Sequence, residues 1–301
     1  FSKFSRMHGK LRLRWFPKIT ITFLPPVKFN APEHLKGAKL RQYQANKLYD
    51  VMSDMVFSTS NPHQTLFDAL LDARAVHGGG HKIVEDIQRK PASYNRVIMG
   101  SFILGRKIAG LAPSQKFVGV LLPNAIGSLL TIFGLQAYGR VPAMLNFSTG
   151  AVNMSAACAA AQVKTIVTSR KFIEAAEMQG DIDILGRACR IIYLEDIRSS
   201  VGILDKLRGI AARFFTRAAL RAAGAARDPD NPAIVLFTSG SEGVPKGVVL
   251  SHANLNSNRL QAAARIGFSA QDIVFNALPM FHSFGLTGGT LLPILAGVYS
   301  F

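Results

Sequence analysis

The chain has 301 residues, 49% of them hydrophobic and 18% charged, which supplies a packed core and length enough for two domains. Its only cysteines, Cys158 and Cys189, exclude a disulfide framework and a four-cysteine zinc site, and fit a reducing compartment. Thirty-five Lys and Arg against 18 Asp and Glu leave a net charge of +17, an excess that attracts polyanions.

Taken in order, the chain begins with a basic stretch: residues 1–47 hold eleven Lys and Arg against Glu33 alone. Within it Ile19–Val27 (ITITFLPPV) reads as a β-branched strand ended by a proline pair. Glu33–Met55 reads as a helix with a basic outer face and Pro62–Val76 as another. His77–His81 (HGGGH) reads as a flexible break. After Pro91 strand-like and helix-like runs alternate. A helix is expected over Tyr94–Ala109, strands over Phe117–Leu122, 140–146, 164–169 and 189–194, and helices over Ala125–Tyr138, Val152–Gln162 and 171–178. Such alternation predicts βαβ units and a largely parallel sheet with helices on both faces. Lys206–Arg227 reads as a basic amphipathic helix, with Leu207, Ile210, Ala211, Phe214 and Ala218 on one face. It could lie in a membrane interface or pack on the core as an ordinary surface helix.

Two windows, 117–139 and 273–301, contain no charged residue and are long enough to span a bilayer. Pro123-Asn124 interrupts the first. Asn276, Pro279, His282 and Gly288-Gly289 interrupt the second. Both read as buried strand–turn–helix pieces. A start on Phe1 rather than Met, and an end in the apolar run Val298–Phe301, read as an internal fragment of a longer protein.

The richest local chemistry is LFTSGSEGVPKGVVLSH, Leu236–His252. Ala233–Phe237 and Gly247–Leu250 read as two strands around a loop. Gly-Val-Val after Lys246 excludes a Walker-type loop, which opens a helix at that point. Gly240, Gly243 and Gly247 let backbone amides approach an anion. Thr238, Ser239 and Ser241 add hydroxyl donors, Pro245 stiffens the approach, and Lys246 supplies a point charge suited to phosphate. Glu242 is expected to face outward.

The stretch FTSGSEGVPKGVVLSH resembles the phosphate-binding segment of the adenylate-forming enzymes, a superfamily of acyl-CoA and acyl-carrier-protein synthetases, luciferases and adenylation domains. NALPMFHSFGL (276–286) resembles a second motif of that family, and VGVLLPN and YGRVPAMLN resemble its early strands, so the likeness covers about residues 95–301. The fold it implies is α/β, the first part of the large adenylate-forming domain, with mostly parallel sheets flanked by helices. It implies ATP held by Thr238, Ser239, Gly240, Ser241, Gly243, Lys246 and Gly247, with Mg2+ ligands outside this stretch. His282 is implied as a catalytic residue that with Phe281 borders the acyl adenylate, and Phe284 and Leu286 as the lining of the acyl pocket.

LRLRWFPKITITFLPPV (11–27) resembles the last strands of a glycerolipid acyltransferase domain. Its fusion to an adenylating domain is similar to the bifunctional bacterial family of acyl-carrier-protein synthetase/2-acylglycerophosphoethanolamine acyltransferases. That resemblance divides the chain into an acyltransferase end (1–60), a linker (61–93) and the truncated AMP-binding part (94–301). The implied partners are a fatty acid, acyl carrier protein, a lysophospholipid and an anionic membrane surface, at the cytoplasmic face of the bacterial inner membrane. Two alternatives stand beside it: coenzyme A as thiol acceptor, and a non-catalytic cationic membrane-binding module. No base-reading motif points to nucleic acid. His63 and Asp68 stand at acyltransferase HX4D spacing but on the wrong side of the proline-ended strand. The HGGG run lacks a G-x-S-x-G partner, and His77 and His81 lack a third metal ligand. His252 is expected to be structural.

Overall fold

A computed structural model of the chain describes residues 21–239, 245–269 and 271–301. Residues 21–32 are largely exposed and belong to no sheet, so the strand expected over Ile19–Val27 is not formed in its described part. Pro25 and Pro26 remove two ladder donors, and no described strand runs alongside. Helix α1 (Gly37–Ser58) follows on the outside, tied to the body by the Arg265–Asp50 ion pair at 2.7 Å.

Helix α2 (Leu66–His77) opens on Thr65, whose hydroxyl accepts the Asp68 amide, a local N-cap. After it come β1 (Lys82–Val84), β2 (Ala92–Ser93) and α3 (Tyr94–Leu111). Residues 61–93 are not the expected linker. Leu66, Phe67, Leu70 and Ile83 lie in the main core, and β1 pairs in parallel with a strand at the far end of the chain, Val84 opposite Ser300. The glycine run is likewise packed rather than a free break. The rings of His77, His81 and Tyr94 stack on one another, and His81 Nε2 lies 2.8 Å from the Gly297 carbonyl oxygen.

The alternation then proceeds as the apolar runs predict. The elements are β3 (Phe117–Val120), α4 (Ile126–Ala137), β4 (Val141–Met144), α5 (Gly150–Ala160), β5 (Thr165–Thr168), α6 (Arg170–Ala175), α7 (Gln179–Leu185) and β6 (Arg190–Tyr193). Three helices follow, α8 (Leu194–Ser199), α9 (Ile203–Phe214) and α10 (Thr216–Ala223). The basic helix expected over Lys206–Arg227 is therefore two helices. It starts earlier, breaks at Phe215 and stops where Gly224 takes a left-handed φ of 78°, a conformation glycine adopts without a Cβ penalty. Next are β7 (Pro232–Ser239), β8 (Pro245–Ser251), α11 (His252–Arg265), β9 (Ile273–Val274), α12 (Ser283–Leu286), a π-helical turn (Thr287–Leu291), α13 (Leu292–Ala296) and β10 (Tyr299–Ser300).

These strands build a six-stranded sheet of order β6-β5-β3-β4-β7-β8 and a small sheet of order β2-β1-β10-β9. The large sheet is parallel except for β8, which runs antiparallel to β7. The two uncharged windows resolve into strands, turns and short helices, and among the described residues no helix is long and apolar enough to cross a membrane. From β3 the chain moves to one side of the sheet and from β5 to the other. The carboxyl ends of β3 and β5 are therefore a switch point, where open α/β sheets leave a crevice for ligand.

His252, at the start of α11, is buried and its Nδ1 accepts the Leu66 amide at 3.1 Å. Burial pushes its pKa down to about 4, opposed in part by the Asp68 carboxylate. Protonation is thus disfavoured in the folded state, and the unfolded chain takes up the proton first. Stability from this group is complete above about pH 6.5 and drains away as pH falls towards 4, by up to about 3 kcal/mol. Urea unfolding near neutrality and near pH 4.5 should show that loss, and His252→Asn should flatten it; an equal pH slope in both proteins would refute the assignment.

Candidate active site

β7 and β8 join at the carboxyl edge of the parallel sheet. Ser239 lies opposite Pro245, Thr238 opposite Lys246 and Phe237 opposite Gly247. The strand–loop–strand expectation is met, and each strand is longer than its apolar run suggested. Gly240, Ser241, Glu242 and Gly243, and the Ser239 side chain, for which phosphate contacts or an outward orientation are expected, lie outside the described residues. Directly opposed residues of an antiparallel pair share a face, so the Thr238 hydroxyl and the Lys246 ammonium stand on the same side of the hairpin. Thr238, Lys246 and Gly247 are exposed, and Lys246 makes no ion pair among the described residues. A Cβ on Gly247 would press on Val235 and Phe237 at 3.3 and 3.4 Å. A hydroxyl, an uncommitted ammonium and a bare backbone at this edge form a donor set that fits a polyphosphate.

The second motif lies against the same edge. Phe281 meets the Phe147 ring edge-on at 4.9 Å, and Phe147 in turn meets Phe172 at 5.1 Å. Phe147 follows β4, and β4 pairs directly with β7, so Phe281 is docked one strand away from the hairpin. His282 is exposed and caps α12, its Nδ1 accepting the Phe284 amide at 3.3 Å. An accepting Nδ1 puts the proton of the neutral ring on Nε2, which leaves an outward donor. Phe284 is 65% exposed, whereas Leu286 is fully buried in the main core. The expectation that Leu286 lines an acyl pocket is corrected: α12 is so short that its inner side turns Gly285 and Leu286 under the motif loop. The approach is close, and a Cβ on Gly285 would collide with the carbonyl oxygens of Leu278 and Pro279.

Asn124 is a residue that sequence reasoning left unassigned. It sits in the loop after β3, at the switch point, and its Nδ2 donates to the carbonyls of Leu278 (2.7 Å) and Asn276 (3.3 Å). Its Oδ1 accepts the Met280 amide at 2.9 Å. One side chain thus latches the 276–280 backbone to the crevice. Asn276 braces the same loop from inside, donating to Gly285 O and Thr290 Oγ1 at 3.1 and 3.0 Å. The only local mark of the latch is a Pro-Asn pair ending a strand, a common turn signal. Asn124→Ala is expected to cost about 1–3 kcal/mol, since it leaves loop groups without partners. It should also speed amide exchange between residues 275 and 284, and exchange at the wild-type rate would show that the latch is not what holds the loop.

The sequence profile of the AMP-binding enzymes matches residues 105–300. The chain belongs to the AMP-binding enzyme family. The chain is 41% identical over 71 residues to the medium-chain fatty-acid–CoA ligase of Escherichia coli (strain K12), covering 24% of this chain and 12% of that protein. It is 39% identical over 70 residues to the medium-chain-fatty-acid–[acyl-carrier-protein] ligase TtuA of Teredinibacter turnerae, covering 23% and 11%. With 4-coumarate-CoA ligase 1 of Narcissus pseudonarcissus it shares 26% identity over 223 residues, 71% of this chain but 38% of the relative. The chain thus spans well under half the length of these relatives.

Among solved structures, VinN in complex with 3-methylaspartate aligns with a TM-score of 0.62 at 21% identity, covering 78% of this chain and 60% of that one. MenE from Bacillus subtilis in complex with the acyl-adenylate intermediate OSB-AMP aligns with a TM-score of 0.61 at 15% identity, covering 79% and 55%. At such identities the likeness establishes the fold. The profile match begins at residue 105, so the acyltransferase remnant remains a sequence resemblance of residues 11–27.

Proposed function

We propose that the intact protein activates a fatty acid with ATP and passes the acyl group to a phosphopantetheine thiol. The observation that supports this best is the hairpin, with Lys246 opposite Thr238 beside the docked Phe281–His282 segment. ATP supplies the adenylyl group: the fatty carboxylate oxygen bonds to the α-phosphorus as the bond to pyrophosphate breaks, and pyrophosphate leaves with the electron pair. Lys246, the Thr238 hydroxyl and the hairpin amides hold the phosphate charge. Catalysis is then chiefly positioning and electrostatic stabilisation. The Phe281–Phe147 pair shields the reacting carboxylate from water, and the His282 Nε2–H donates towards it. The Mg2+ ligands expected from the family resemblance lie beyond this stretch.

Fatty-acid-dependent exchange of labelled pyrophosphate into ATP by the full-length protein tests the first half-reaction. No exchange with any medium- or long-chain acid would refute it. The second half-reaction divides the reading. Relatives that use either thiol match this chain, an acyl-carrier-protein ligase at 39% identity and a CoA ligase at 41%. Offering both acceptors together in one assay decides between them. Re-acylation of a lysophospholipid at the inner membrane is supported only by residues 11–27. Acyl transfer from carrier protein to lysophospholipid by the full-length protein would extend the reading, and its lack would confine the protein to a ligase.

A further inference from the structure

Helix α9 is mounted the wrong way round for a surface helix of a water-soluble body. It meets α3 through Gly209 and Ala212, both buried, with Gly209 so close that a Cβ there would press on Ile103 and Met99. Asp205 points the same way, pairing with Lys107 at 2.8 Å and Arg106 at 3.5 Å. At about 100° per residue, Ile203, Leu204, Leu207, Ile210 and Phe214 fall roughly half a turn away from that contact. They are accordingly exposed, Ile203 at 76%, Leu204 at 67% and Phe214 at 65%. The apolar row looks outward, contrary to the usual amphipathic arrangement.

The charges around the row say what would cover it. Residues 206–227 contain six Lys and Arg and no Asp or Glu. The single acid of α9, Asp205, is turned inward and neutralised. Exposed Lys206 and half-buried Arg213 lie on one flank of the row and exposed Arg208 on the other. A second copy presenting this face would set Lys206, Arg208 and Arg213 against the same three cations, which like-charge repulsion opposes. An anionic lipid surface satisfies both features, since apolar side chains enter the acyl boundary while flanking Lys and Arg reach the phosphates. We propose that α9 is an interfacial docking helix, its Ile203–Phe214 row entering an anionic bilayer and Lys206, Arg208 and Arg213 contacting lipid phosphates. The inference goes beyond the ligase reading and does not rest on it.

The test uses the whole chain and vesicles of phosphatidylglycerol and phosphatidylcholine in equal parts, with pure phosphatidylcholine for comparison. The wild type should sediment with the anionic vesicles and far more weakly with the neutral ones. The variant Ile203→Gln, Leu207→Gln, Phe214→Gln should lose partitioning by at least about tenfold while melting as the wild type does, because none of the three residues touches the core. Basic segments elsewhere could adhere by charge alone, so insertion is read separately. The two natural cysteines are buried, and Leu207→Cys therefore gives a single accessible site for an environment-sensitive fluorophore. Blue-shifted emission quenched by spin-labelled lipid is expected. Four results would each overturn the proposal: no wild-type binding to anionic vesicles, bound protein with an unquenched probe, unaltered binding by the triple variant, or a solution dimer that this variant dissolves.

Discussion

Lys246→Met in the full-length protein is expected to lower fatty-acid-dependent pyrophosphate exchange by at least about a hundredfold, the usual cost of removing one preorganised donor to a developing charge. Lys246 stands opposite Thr238 at the end of an antiparallel pair, exposed and without an acidic partner among the described residues. Methionine keeps the length and removes the charge, so the loss should fall on turnover and on KM for ATP. Folding should be unaffected to within about 0.5 kcal/mol, as for exposed substitutions generally. If the variant exchanged pyrophosphate like the wild type, the hairpin would not be the phosphate site. Lys246→Arg should restore only part of the activity, because a planar fork does not replace a compact charge at a fixed distance.

Gly105→Ala carries the second large effect, this time on stability. Helices α3 and α4 cross at Gly105 and Gly134, and a Cβ on Gly105 would collide with the Gly134 carbonyl oxygen and main chain. The obstacle is backbone in the middle of the main core, so it cannot yield by a rotamer change. Separating the helices opens the packing of Phe67 on Phe102 and Phe133, whose ring centroids are each 5.7 Å apart. A loss of about 3 kcal/mol is expected, at the upper end for overpacking, read as a fall in the urea midpoint. Gly110, on the same helix, has open space around its Cβ position. Gly110→Ala should therefore be neutral or gain up to about 1 kcal/mol from helix propensity. Opposite signs at two glycines of one helix separate the crossing from any general effect of replacing glycine. Equal effects would discount it.

The hairpin was readable because its chemistry is local. Two apolar runs, three glycines and Pro-Lys-Gly lie within one stretch, and their spacing alone distinguishes strand–loop–strand from a Walker loop. The βαβ alternation after Pro91 was readable for the same reason, since each run shows its own period. Asn124 was not readable: its partners are 152 and more residues away, and nothing near it differs from an ordinary turn. Residues 61–93 misled because a basic segment precedes them and they contain a glycine run, while the contact that ties them to the core, Val84 to Ser300, joins strands far apart in the sequence. Leu286 misled because a motif names neighbours without saying which of them a four-residue helix turns inward.

By itself the sequence determined the strand–helix alternation after Pro91, the two strands flanking the Thr238–Gly247 stretch and the family resemblance, all carried by residues within one turn or one strand of each other. The tertiary structure alone decided which faces meet. It put α2 in the core, tied the motif loop to the switch point through Asn124, and turned the apolar row of α9 outward. Periodicity states that a helix has an apolar face, but the direction of that face is set by the neighbour it packs on. For α9 that neighbour accepts Gly209 and Ala212, two residues too small to leave any hydrophobic mark.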